Sequence, residues 1–263
     1  MGKINAGLFG FGRTGRIVAL ELMKDPEIEL KWVVRHTQTP EAHYASDAFD
    51  CDIDEARIYS NLELDINFFR ENPVDVIVDF SAIDGYQTYI GPARELGIKV
   101  VSAISNYPEE VVKELRCAAK DTTVLYSPNI TLGINFLLIA AEALHALIPY
   151  ADIEIIEEHF RDKKDPSGTA IKMAKLLQQD PARAVHSVRA GGIIGHHEVI
   201  FGLPYQTIRL SHDSISKSAF GQGAIFALKQ IVQMDGGFHT MEELLRGVIR
   251  ENLSTLKEEV LED

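Results

Sequence analysis

The sequence predicts an α/β protein: a parallel sheet with crossover helices over the first half, then a second α+β unit with a mixed open sheet. Three observations predict it. Short apolar runs alternate with helical patterns through residues 3–126, the rhythm of strands joined by helical crossovers. The first strand runs directly into a glycine-rich turn that opens a helix. After Ser127-Pro128-Asn129 the rhythm changes to one long helix, followed by strands punctuated with glycine.

The elements follow in order. Residues 3–9 (KINAGLF) read as a strand and 13–23 as its helix. Further strands are expected at 30–34, 74–80, 98–102 and 123–126, with helices at 86–96 and 108–120. Pro108 suits a helix start. A helix near 133–147 leads into 152–159, where apolar and charged residues alternate, and a helix follows at 168–178. Residues 185–212 read as twisted strands broken by Gly191, Gly192, Gly195 and Gly202. Ile208, Leu210 and His212 alternate with Thr207, Arg209 and Ser211, as on an antiparallel strand with one covered face. Residues 219–234 form a helix with Phe220, Ala224, Ala227, Ile231 and Met234 in one stripe. The final helix, 241–260, is expected to pack back on the first domain.

Composition removes several classes of function. The 263 residues are 46% hydrophobic and 25% charged, with net charge −13. That charge opposes non-specific attraction to nucleic acid or an anionic membrane and favours solubility. Cys51 and Cys117 show no metal-ligand spacing, so no metal is expected. The start, MGKINAGLFGFG, lacks a signal-type pattern. Residues 134–148 contain Asn135, Glu142 and His145 and are too short to span a bilayer, so they read as a buried helix of a cytoplasmic protein.

Gly10-Phe11-Gly12-Arg13-Thr14-Gly15 matches GxGxxG in the strand-to-helix context that gives the pattern meaning. Gly10 permits the tight turn, Gly12 lets backbone approach a pyrophosphate, and Gly15 lets helix and strand pack closely. The helix start then offers N–H groups and partial positive charge to phosphates. This is a Rossmann-type dinucleotide site, expected within 1–128, with 129–235 as a substrate-binding and oligomerisation domain and 236–263 returning to the first. A protein that prefers NAD usually has an acid at the end of the second strand. Here that position reads Arg35-His36-Thr37, which suits a 2′-phosphate, so NADPH is the preferred cofactor. An arginine there can equally stack on adenine, which keeps NADH open. Asp79, at a strand end, either contacts a ribose or caps a turn.

The segment 157–170 (EEHFRDKKDPSGTA) carries the substrate chemistry. Ser167, Gly168 and Thr169 open a helix, and their N–H groups and hydroxyls suit a carboxylate. His159, Arg161, Lys163 and Lys164 lie just upstream, a cationic stretch in an acidic protein. An anion site beside a titratable His and Lys fits a reductase that must also deliver a proton. Alternatively, Ser167 or Thr169 only caps the helix and the charges are solvated. His196 and His197 are adjacent in a strand and point to opposite faces, which favours structural roles over a metal.

These residues carry a resemblance. GRTGR at 12–16, VDFS at 78–81, SPNITLGIN at 127–135, IEIIEEHFRDKKDPSGTA at 153–170, VRAGGIIGHHEVIFG at 188–202 and SHDSISKSAFGQGAI at 211–225 resemble the 4-hydroxy-tetrahydrodipicolinate reductase (dihydrodipicolinate reductase) family of the lysine and diaminopimelate pathway. The resemblance implies hydride transfer from NAD(P)H to a cyclic dicarboxylated substrate, coupled to protonation. It implies His159 as general acid, Lys163 as second acid or carboxylate partner, and Ser167, Gly168 and Thr169 as the carboxylate site. It further implies cofactor contacts at Ser81, Ser102, Ser127 and Asn129, and a homotetramer. Four positions depart from the family pattern. Phe160 replaces a second histidine, the loop before Pro166 lacks an alanine, Ser102-Ala103-Ile104-Ser105-Asn106 replaces a G-T-T-G turn, and Ile130 replaces a phenylalanine. These keep open a related reductase with a different cyclic imine or amino-acid-derived carboxylate, and also a nucleotide-binding protein without catalysis.

Overall fold

The structure is a computed structural model that describes residues 2–36, 43–49 and 54–260. Thr37 and Cys51 lie outside the described residues. The chain divides into two units, Met1–Thr131 with Ser218–Asp263, and Leu132–Lys217.

The first unit begins with β1 (Ile4–Phe9), α1 (Arg13–Lys24), β2 (Ile28–Arg35) and β3 (Arg57–Ser60). It continues with α2 (Ile66–Glu71), β4 (Val76–Asp79), α3 (Tyr86–Leu96), β5 (Lys99–Ser102), α4 (Glu109–Ala118) and β6 (Thr123–Tyr126). Local sequence explains the helices. In α1, Gly15, Val18, Ala19 and Leu22 are buried, a stripe at helical spacing. Asp65 caps α2 by accepting from the N–H groups of Asn67 and Phe68 at 2.9 and 3.1 Å. Glu109 and Glu110 complement the dipole at the start of α4. Phe9, Trp32, Phe69 and Tyr89 meet in the core, and the Trp32 indole N–H donates to the Asn72 carbonyl at 3.0 Å.

The second unit comprises α5 (Leu132–Leu147), β7 (Asp152–His159), α6 (Gly168–Leu176), α7 (Pro181–Ala184), β8 (Val185–Arg189), β9 (His196–Leu203) and β10 (Gln206–Asp213). Its strands run in the order β10-β9-β7-β8, with β7 and β8 parallel and the other pairs antiparallel. Ile153, Ile155, Val199 and Phe201 pack on Leu137, Leu138 and Ala141 of α5 and Ala170, Met173 and Ala174 of α6. Ile208, Leu210 and His212 are half-buried while their neighbours are exposed, the alternation expected of β10. The helix α5 is buried along one side only, since Phe136 and Leu147 are exposed. Ile134, Leu137, Leu138 and Ala141 are the side chains of α5 that enter the core with the sheet.

The chain then returns with α8 (Ser218–Ile231), β11 (Gly237–His239) and α9 (Met241–Val260). Residues 218–235 therefore belong to the first unit, a correction to the division at 235. The reason is packing. Gly221 of α8 abuts Glu21 and Val18 of α1, and Lys229 pairs with Asp25 at 3.0 Å. The Lys99 ammonium donates to the carbonyls of Ile231, Val232 and Met234 at 3.1, 2.9 and 2.6 Å, closing the end of α8. The completed first sheet is parallel throughout, in the order β11-β6-β5-β4-β1-β2-β3.

Candidate active site

The connections leaving the first sheet change direction between β1 and β4, where α/β proteins bind ligands beyond the strand ends. A cleft of about 520 Å³ lies there, lined by Gly10, Phe11 and Gly12 after β1, Arg35 and His36 after β2, and Phe80, Ser81 and Ala82 after β4. Gly10 has φ +95°, and a Cβ on it would lie 2.5 Å from the Phe80 backbone. A Cβ on Gly15 would lie 2.0 Å from the Gly10 carbonyl oxygen. At Gly12 nothing lies within 4 Å of the Cβ position. The first turn of α1 has neither a side-chain cap nor an acid. Open space beside uncapped N–H groups fits a pyrophosphate. Arg13 is exposed and Thr14 half-buried, while the Phe11 ring lies 5.3 Å from the Arg16 guanidinium.

Beneath the cleft, Asp79 is fully buried. It accepts hydrogen bonds from the Ser81 N–H at 2.9 Å, the Ser81 hydroxyl at 2.5 Å, Tyr89 at 2.7 Å and Tyr107 at 3.2 Å. Burial pushes its carboxyl up, against the downward pull of those bonds. Burial also raises the Tyr89 and Tyr107 hydroxyls, keeping both as donors. Asp79 thus caps the turn after β4. Three further residues expected at the cofactor, Ser102, Ser127 and Asn129, make internal hydrogen bonds. The Ser102 hydroxyl is buried and donates to Tyr107 at 3.2 Å. Ser127 donates to the Asn129 carbonyl at 2.6 Å, and the Asn129 side chain accepts from the Thr131 hydroxyl at 3.1 Å. Asn106 has φ +64° and supplies the left-handed residue of its turn, a conformation Asn tolerates. Ile104 and Tyr107 anchor that turn in the core.

The second unit holds a separate cluster. Strand parity places Ile153, Ile155, Glu157 and His159 on the covered face of β7. The Glu157 side chain is fully buried. Its Oε1 accepts from Arg189 Nη2 at 2.6 Å, the Ser187 hydroxyl at 2.6 Å and the Ser167 N–H at 3.2 Å. Its Oε2 takes Arg189 Nη1 at 2.8 Å and His159 Nδ1 at 2.5 Å. Burial alone would raise this carboxyl, but the Arg189, Ser187, His159 and Ser167 bonds outweigh it and hold the pKa at about 2. An ionised carboxylate only accepts, so His159 carries its hydrogen on Nδ1 and leaves Nε2 for other work.

Arg189 also stitches the 160–167 loop. Its Nε donates to the Lys163 carbonyl and its Nη2 to the Asp165 carbonyl, both at 3.1 Å. Buried His197 meets the Ser167 hydroxyl at 2.8 Å and the His159 ring edge-to-face at 5.4 Å. Burial, helped by the neighbouring His159, lowers the His197 pKa to about 4, so the ring is neutral. His196 points the other way and pairs with Asp213 at 2.7 Å, as adjacent strand residues must.

His159 and Ser167 therefore share one hub, and Lys163 is half-buried on the loop between them. Ser167, expected as a carboxylate ligand, already makes internal bonds. Its N–H is held by Glu157, and its hydroxyl meets His197 and caps the Ala170 N–H. Exposed Gly168 and half-buried Thr169 remain at the helix start. Arg161, Lys164 and Phe160 are exposed, so the cationic stretch does not gather as a whole. Glu157, Arg189, Ser187 and His197 were not expected to build the site. The inward parity of an acid on β7 was the available signal for Glu157. Among the described residues no helix is long and apolar enough to cross a membrane, and no acid, His or Cys group could hold a metal.

Comparison with known proteins covers most of the chain. A family model described as dihydrodipicolinate reductase, N-terminus, matches residues 4–130, and one described as dihydrodipicolinate reductase, C-terminus, matches 130–245. The chain is 31% identical over 256 residues to a 4-hydroxy-tetrahydrodipicolinate reductase of Caldanaerobacter subterraneus subsp. tengcongensis, covering 89% of this chain and 95% of that protein. It is 28% identical over 273 residues to one of Methanococcoides burtonii, covering 92% and 99%. Among solved structures, a dipicolinate-bound dihydrodipicolinate reductase from Paenisporosarcina sp. TG-14 superposes with TM-score 0.77 at 22% identity, covering 90% of this chain and 97% of that one. A myo-inositol dehydrogenase from Corynebacterium glutamicum shares the fold at TM-score 0.60 and 14% identity, covering 90% of each chain.

Proposed function

The chain belongs to the dihydrodipicolinate reductase family, and we propose that it reduces 4-hydroxy-tetrahydrodipicolinate with NADPH as the preferred cofactor. The residues that would hold the nucleotide are Gly10, Phe11, Gly12, Arg13, Thr14 and Gly15 at the phosphates, with Arg35 and His36 at a 2′-phosphate. When bound, the nicotinamide supplies a hydride. His159 donates the accompanying proton from Nε2. Lys163 faces a substrate carboxylate, which Gly168 and Thr169 hold through N–H groups at the start of α6. The observation that carries this reading is the His159 ring, bonded through Nδ1 to an ionised carboxylate that also binds the Ser167 N–H.

The test is oxidation of NADPH and NADH, followed by nicotinamide absorbance, with freshly generated 4-hydroxy-tetrahydrodipicolinate. We expect turnover with both, faster with NADPH, and a fall in kcat of about 10²-fold or more in His159→Gln. Undiminished turnover in that variant removes His159 from the role. A second reading rests on exposed Phe160 and the shortened loop before Pro166: reduction of a different cyclic imino acid. Tight NADPH binding without turnover of this substrate would favour it. The family likeness also supports a homotetramer in the cytoplasm, and sedimentation would measure the assembly.

A further inference from the structure

Glu157 bonds His159, Ser167, Ser187 and Arg189 in the second unit, yet no role of its own has been assigned to it so far. Its two oxygens face different partners. Oε1 meets three donors, namely the Ser167 N–H, the Ser187 hydroxyl and Arg189 Nη2. Oε2 meets Arg189 Nη1 and His159 Nδ1. The side chain is fully buried, so water does not compete for it. The opposite nitrogen of the ring is kept open by Gly195, where a Cβ would lie 3.3 Å from His159 Nε2. Any side chain there would crowd that nitrogen.

We propose that Glu157 is the positioning residue of this site, fixing His159 with hydrogen on Nδ1 so that Nε2 is the nitrogen that transfers the proton. The proposal rests on the reading of His159 as proton donor. In the neutral ring Nε2 carries a lone pair, and in the charged ring it carries the proton that leaves, with Glu157 stabilising the charge behind it. The same carboxylate holds the Ser167 N–H, so the ring and the first turn of α6 share one anchor. The charged and titratable groups set against the ring are Glu157 from β7 at Nδ1 and His197 from β9 edge-to-face, with Arg189 from β8 bonded to the same carboxylate. Of these, Glu157 is the carboxylate within bonding distance of Nδ1.

The oxygen inventory predicts what Glu157→Gln does. With three donors at the Oε1 position, the amide oxygen belongs there, and the NH₂ group takes the Oε2 position. It then donates to His159 Nδ1 and forces the hydrogen of the neutral ring onto Nε2, while Arg189 Nη1 loses this acceptor and keeps its bond to the Val188 carbonyl. The experiment uses the full chain with NADPH bound and ¹⁵N-labelled histidine, with the His159 resonance identified by its loss in His159→Gln.

We expect the neutral ring to be Nδ1-protonated in the wild type and Nε2-protonated in Glu157→Gln. We also expect kcat to fall by on the order of 10²-fold with the NADPH KM within about twofold. An unchanged tautomer in folded Glu157→Gln, or kcat within about threefold of wild type, overturns the proposal. A purely structural role would leave the tautomer alone. Should Glu157→Gln fail to fold, Glu157→Asp keeps the charge for Arg189 and withdraws it from His159. A mixed tautomer there supports the proposal and a pure Nδ1 form refutes it. If the wild type does not turn over the substrate, the functional reading falls, and the comparison of tautomers still decides the role of Glu157.

Discussion

His197 sits buried between the Ser167 hydroxyl and the edge of His159, with a pKa of about 4 against the 6.5 it regains on unfolding. Its folded pKa is depressed, so the unfolded chain binds the proton first as pH falls. The stability linked to it is complete above about pH 6.5 and is lost as pH drops through 4. At about 1.4 kcal/mol per unit, the full loss is about 3 kcal/mol, and about 2 kcal/mol of it is gone by pH 5. Glu157 falls from 4.5 to about 2 on folding, so its own loss belongs to the lower window between those values. The window from about pH 7 to pH 5 therefore belongs to His197 together with His212 of β10, whose pKa burial also lowers from 6.5. The single tryptophan, Trp32, belongs to the first unit, so fluorescence does not monitor this sheet. Hydrogen exchange of the β7 and β9 amides does, once the intrinsic pH dependence of exchange is removed. In the wild type, protection should weaken by at least the stated amount across that window. In His197→Asn it should be lower at the outset and should fall less across the window, by the share that belonged to His197. Wild-type protection that does not change, or a variant equally sensitive to acid, would refute the reasoning.

Two further perturbations address the nucleotide cleft. Gly15→Ala places a Cβ 2.0 Å from the Gly10 carbonyl oxygen, so loop and helix must separate. NADPH affinity by calorimetry should fall about tenfold or more, with about 1–3 kcal/mol lost in urea melts followed at Trp32; unchanged affinity would show that the loop does not hold the phosphates. Arg35→Glu sets like charge against a 2′-phosphate, and the NADPH-to-NADH ratio of kcat/KM should fall by about 10²-fold. A constant ratio would place cofactor choice elsewhere.

What the residues revealed follows from how local each signal is. The glycine turn, the parity of β7 and β10, and the caps of α4 and α6 depend on neighbours a few positions away and were legible. The strands β3 (RIYS) and β11 (GFH) are four and three residues long, too short for a period to register. Their place is fixed by pairing with β2 and β6. The PSGTA turn was legible as an anion site, but not which anion would use it. The protein's own Glu157 holds the Ser167 N–H, brought there by the fold. Arg189 was invisible for the same reason, since its partner faces it only through the register of β7 and β8. The likeness to a family drew attention to Ser102, Ser127 and Asn129, and the internal hydrogen bonds these residues make were not legible from it.

The interruption of the first unit by residues 132–217 has a consequence for a chain leaving the ribosome. When β6 emerges, its outer edge has no partner, and Lys99 has none of the carbonyls that will end α8. An unpaired parallel edge invites association with other chains until β11 arrives. Everything the second sheet needs is meanwhile made in one stretch. Nascent chains arrested after residue 217 should therefore protect β7 and β9 from protease while the β6 edge stays vulnerable. The last strand and helix act as the closing stitch of a domain begun at the first residue.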